Sequence, residues 1–179
     1  MNPPLPEPNY VISLEELCWG IMLVAITMVI HGFGMILTLR VNSVFKPRLE
    51  RTNSFILGVS VLILASWMII LVHLFEVAVW AVFFVWKGAM VNSSIAYYFS
   101  LNEYTTVGSN YNLPQHWRLL EGMIATAGLL GFAWSTGVLL TLAQDFQERQ
   151  MLVLKQRHDR HQIKPAHPPN AAPDKSAHQ

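Results

Sequence analysis

The chain has 179 residues, 53% of them hydrophobic and only 13% charged, with a formal net charge of +1. A soluble domain carries about twice that charged fraction, and here the apolar residues are gathered into runs long enough to cross a bilayer. Composition therefore sets aside soluble and nucleic-acid-binding classes in favour of an integral membrane protein.

Residues 1–13 form a proline-rich arm without Lys or Arg, so the basic n-region of a cleaved signal peptide is missing and the first span is expected to be retained. That span is read at 14–39, where Leu17 to Leu39 is almost uninterruptedly apolar and long enough for about 30 Å of hydrocarbon. Cys18 is the single cysteine, which rules out an intrachain disulfide, and it reads as a small packed hydrophobe. His31, beside Gly32 and Gly34, reads as a packed histidine at a close helix crossing.

A loop at 40–54 follows, carrying Arg40, Lys46, Arg48 and Arg51 against Glu50. The second span, 55–86, is longer, roughly 48 Å if helical throughout, so it must tilt, bend or project. Within it His73 and Glu76 fall on one helix face. They read either as a proton-sensitive or metal-binding pair, or as a buried hydrogen bond that locks this helix to its neighbours.

Between the second span and the third, at 117–143, lies a segment too polar and too short to cross, residues 93–114. Its first half, Ser94 to Tyr104, is aromatic and helix-compatible, with Ser93 available as N-cap; its second half has no helical logic. Non-helical backbone at membrane depth is tolerated only where it is buried in protein or lines a wet cavity. Carbonyls left free in such a cavity can replace the water around a cation.

Of the 12 Lys and Arg, only Lys87 and Arg118 flank this segment; the others lie in the 40–54 loop or from Arg149 onward. The positive-inside rule then puts the N-terminus outside, the pore loop entering from outside and the C-terminus in the cytoplasm. Residues 144–163 read as a helical extension of the third span and 164–179 as a disordered, proline-rich tail. His158, His161, His167 and His178 read as solvated, while Arg149, Lys155, Arg157 and Arg160 could hold anionic lipid headgroups.

Thr105-Thr106-Val107-Gly108 resembles the signature filter of potassium channels, and Tyr98-Phe99-Ser100 stands where their pore helix carries an aromatic pair and serine. Trp117 and the glycine-bearing span after it resemble the inner helix of that family. A looser resemblance, to small three-span bacterial ion-channel proteins, takes in His73, Glu76, Trp80 and Ala81. It implies an all-α membrane protein with three transmembrane helices, a re-entrant pore helix and a selectivity-filter loop, in a bacterial inner (plasma) membrane.

The resemblance also implies a homotetramer, since one pore strand per chain cannot encircle an ion. Each chain would line the filter with Thr105, Thr106, Val107, Gly108, Ser109 and Asn110. Carbonyls of Thr106, Val107, Gly108 and Ser109 would coordinate permeating K⁺, or Na⁺ in a less selective pore, with no cofactor and no enzymatic activity. Asn102, Glu103 and Tyr111 would support the filter, Glu103 and Asn102 competing to brace the strand, and Gly128 falls at the family's hinge position. Gly122, Gly131 and Gly137 read as packing contacts, and Ser135 and Thr136 either face the cavity or bond to the preceding turn.

Potassium channels continue their filter as Gly-Tyr-Gly-Asp, whereas this chain reads Gly108-Ser109-Asn110-Tyr111. Ser109 lacks the tyrosine's aromatic buttress, and Asn110 is the non-glycine residue best suited to a positive φ. A weakly selective cation pore is thus the alternative within the class. From other classes come an intramembrane metal or redox enzyme built on His31, His73, Glu76, Glu103 and Glu121, and a non-conducting membrane subunit.

Overall fold

Ser13 opens the first helix by accepting the Glu16 N–H on its hydroxyl at 3.1 Å, with Glu15 and Glu16 in the first turn where the helix dipole favours acids. In this computed structural model, which describes residues 10–52 and 55–163, that helix is α1, Leu14–Thr52. It is followed by α2 (Phe55–Trp86), α3 (Ser93–Tyr104), a single 3₁₀ turn (Gln115–Trp117) and α4 (Leu119–Ile163). α1 outlasts its apolar run, so most of the basic loop expected at 40–54 is helical, Pro47 included. Hydropathy reports where a helix leaves lipid, not where it ends.

Three of these helices are long and apolar enough to cross a membrane. Their outward faces carry large apolar side chains such as Phe33, Trp67, Phe75 and Val82, suited to lipid or another subunit. α4 continues unbroken from the third span through the charged segment to Ile163. The tail expected to be disordered, 164–179, lies outside the described residues.

The core gathers around α3. Phe99 packs edge-on against Phe84 of α2 at 5.5 Å, and Trp80, Ala96, Tyr104, Leu120, Ile124 and Ala127 are all buried beside it. Trp80 donates its indole N–H to Thr27 at 3.0 Å, tying α2 to α1. At the end of α2 the chain turns through Gly88 at φ 67°, a conformation in which a side chain would be strained. There the Lys87 ammonium lies 4.0, 5.0 and 5.5 Å from the rings of Trp19, Trp86 and Trp117, an aromatic cage of the kind found at a membrane interface. The start of α4 is capped from α1, because the buried Glu16 carboxylate accepts the Leu119 N–H.

Candidate functional site

α3 begins one residue earlier than the sequence suggested. Asn92, not Ser93, is the N-cap, its side-chain oxygen accepting the Ser94 and Ile95 N–H groups at 2.8 and 3.2 Å. The helix stops after Tyr104, and Thr106 then takes φ 61° and Gly108 φ 80°. A β-branched residue in the left-handed region is strained, so the segment is held there by its surroundings.

What holds it is a set of hydrogen bonds to the last turns of α3. The Val107 and Gly108 N–H groups donate to the Asn102 carbonyl at 3.0 and 3.3 Å, and Thr106 N–H donates to the Glu103 carbonyl at 3.0 Å. The Ser109 N–H donates to the Glu103 carboxylate at 2.9 Å. No peptide here is cis, and in a trans peptide the carbonyl points opposite the N–H. With four successive N–H groups drawn toward α3, the carbonyls of Thr105, Thr106, Val107 and Gly108 are turned away from it. Among the described residues none of these four carbonyls has a hydrogen-bond partner. Val107, at 75% exposure, leaves the strand open.

Asn102 and Glu103 both bond to the segment after α3, in different ways. Asn102 works through its main-chain carbonyl, while its side-chain amide donates back to Tyr98 at 2.8 Å. Glu103 reaches the strand with its side chain, and burial pushes its carboxyl above the usual range, partly offset by the Ser109 N–H and reinforced by Glu121. Asn110 does not take the positive φ expected of it. The Tyr111 N–H donates to the Ser109 hydroxyl at 3.1 Å, and this serine turn carries the chain out of the strand instead. The Tyr111 ring then stands edge-on to Tyr98 of α3, 6.4 Å away, an aromatic contact two residues after Ser109.

Behind α3 lies a second polar cluster, of which the sequence offered His73 and Glu76 as a pair, with His31 joined to them in the metal-or-redox alternative. Glu76 accepts the Tyr104 hydroxyl and sits 2.9 Å from His31 Nδ1. His73 Nδ1 is 2.8 Å from the Tyr104 hydroxyl, and Ser135 Oγ lies 3.0 Å from His73 Nε2 and 3.3 Å from His31 Nε2. Four helices contribute, and the cluster is buried throughout. His31 reads from the sequence as a packed histidine, with membership of a metal or redox site as the alternative, and the roles of Tyr104 and Ser135 here had no local signal. Donor atoms of His31, His73 and Glu76 come within 4.8 Å of one another, a spacing at which a metal could be held, but each is already engaged in the hydrogen bonds just described. Glu103 and Glu121 are elsewhere, bonded to Ser109 and to the Leu113 N–H.

Glycines make room for both regions. A Cβ on Gly128 would stand 1.9 Å from the Tyr104 carbonyl, and one on Gly131 would stand 2.9 Å from its hydroxyl. Gly122 and Gly137 have nothing within 4 Å of the corresponding position. Thr136 bonds back to Phe132 at 2.8 Å and stays exposed, whereas Ser135 joins the buried cluster. The chain matches no protein-family model, no curated protein and no solved structure.

Proposed function

We propose that four copies of this chain form a cation channel, passive and potassium-conducting, in which the strand Thr105 to Ser109 lines the ion path. One observation carries the reading: successive N–H groups are spent on α3, so an exposed strand is left with bare carbonyls on its opposite side. Carbonyl oxygens in a ring can stand in for the hydration shell of a monovalent cation. The C-terminal end of α3 meets the strand, and its partial negative charge favours cations over anions. A free carbonyl row in a single chain cannot encircle an ion, so several copies must close the ring, and four is the number that the resemblance to potassium channels implies.

A weakly selective pore is the second reading, favoured by Ser109, which places no ring beside the strand. Reversal potential measured on reconstituted protein, with potassium on one side and sodium on the other, separates the two. Gly108→Pro tests the site itself, because proline removes the N–H that anchors the strand and cannot adopt φ 80°. We expect it to abolish flux into liposomes. Flux at the wild-type rate in this variant rules the strand out as the ion path, and no flux from either protein marks a non-conducting subunit.

A further inference from the structure

The buried cluster behind α3 is a closed ring. Its five links run Glu76 to His31, His31 to Ser135, Ser135 to His73, His73 to Tyr104, and Tyr104 to Glu76. Each link joins two heavy atoms and needs one proton, so five protons complete it. With Glu76 ionised and both imidazoles neutral, the side chains supply only four: one from each histidine, one from Tyr104 and one from Ser135. Two ring nitrogens face the Ser135 oxygen, at 3.0 and 3.3 Å, and a single hydroxyl proton can serve only one of them. The four-proton ring is left with a buried negative charge and a link between two lone pairs.

We infer that the ring formed by His31, His73, Glu76, Tyr104 and Ser135 is a binding site for one additional proton. With it, every link is filled and the ring is electrically neutral. The proton is shared between an imidazolium paired with the Glu76 carboxylate and a neutral carboxyl donating to His31, states that differ only in where it sits on one bond. Neutrality matters because Glu76 and His31 have no exposed surface on which water could carry the charge. Every packed element is accounted for: α1 brings His31, α2 His73 and Glu76, α3 Tyr104, and α4 the non-titrating Ser135. Among the described residues no Lys, Arg or further acid is bonded to any of them. Tyr104 is the residue from which the strand springs, and its own carbonyl rests against Gly128, so the proton completes the support on which that strand stands.

The count makes an unusual prediction. Glutamine at position 76 brings its own N–H, so Glu76→Gln fills all five links with both imidazoles neutral and no carboxylate in the ring. In lipid nanodiscs we expect this variant to fold and, above about pH 6.5 where unfolded histidines have lost their protons, to lack the fall in melting temperature that the wild type shows as rising pH strips the ring proton. ¹⁵N-labelled histidine spectra of the wild type should show His31 and His73 changing together in one step that releases one proton per chain. Ser135→Ala removes the bridge between the two imidazoles and leaves three links that already hold three protons, so the histidines should no longer change together in one step. Independent titration of the two histidines in the wild type, a joint step of both histidines surviving in Ser135→Ala, or a Glu76→Gln protein that fails to fold would each overturn the inference. So would stoichiometric zinc in the purified protein by elemental analysis. None of these readouts requires ion flux, so their failure leaves the channel reading standing, and a protein that does not conduct leaves the proton site standing.

Discussion

Two polar regions meet at Tyr104, and they are built on opposite plans. In the strand after it, main-chain donors are consumed and acceptors are left free and exposed; in the ring behind it, side-chain donors and acceptors close on one another out of reach of solvent. An apolar chain gains nothing from a polar group unless that group is satisfied inside or has something outside to satisfy it. The ring is of the first kind, a support. The segment after Tyr104 is of the second kind, and its bare, exposed carbonyls carry the channel proposal.

The contrast can be broken first at Gly128. Gly128→Ala puts a methyl group against a main-chain carbonyl that cannot swing aside, and should cost about 1–3 kcal/mol of stability by overpacking. A lower melting temperature with reduced flux is expected, while Gly137→Ala, with open space around it, should leave both unchanged or raise stability by up to about 1 kcal/mol. Equal effects in the two variants would mean that the contact of α4 with Tyr104 does not set the strand.

Next in size is Glu103. Glu103→Ala leaves the Ser109 N–H without its acceptor, a loss of about 1–2 kcal/mol in strand order, which should lower potassium-over-sodium selectivity by roughly tenfold. Its pKa lies above the ordinary glutamate value because burial favours the neutral form, so acidification protonates it earlier than a free glutamate. Protonation stabilises the fold, a contribution present at low pH and lost as pH rises through the folded-state value. It also weakens the acceptor facing Ser109, so selectivity should fall on acidification without a fall in melting temperature, and Glu103→Gln should remove that dependence. Selectivity that stays flat with pH in the wild type would detach Glu103 from the strand.

The smallest effect is expected at the interface cage. Lys87→Met removes the cation held among Trp19, Trp86 and Trp117 and its contact with Glu15 at 3.8 Å. Melting should drop by an amount corresponding to about 0.5–2 kcal/mol, with selectivity intact, since neither region at Tyr104 is touched. A change in reversal potential here would mean that the two are coupled to the outer rim.

Some of this architecture could be read along the chain because its causes are local. Three apolar runs, the asymmetry of Lys and Arg, and an aromatic segment passing into Thr105-Thr106-Val107-Gly108 all declare themselves within a few residues. Even there, capping fell to Asn92 and the left-handed turn to Thr106 rather than Asn110, because backbone geometry answers to the hydrogen bonds closing around it. His73 and Glu76 were visible as a pair, being one helical turn apart.

The sequence by itself determined a helical chain with three membrane-length spans and the position of the short polar segment between the second and third. Only tertiary structure decided that His31, 45 residues from Glu76, and Ser135, 62 residues from His73, would close a ring with Tyr104. It alone also decided that the strand's N–H groups would be drawn back to α3. The reason is physical: periodicity records which face of a helix is buried, whereas hydrogen bonds between helices depend on where those faces cross, and that crossing is set by packing at small residues such as Gly34, Gly128 and Gly131.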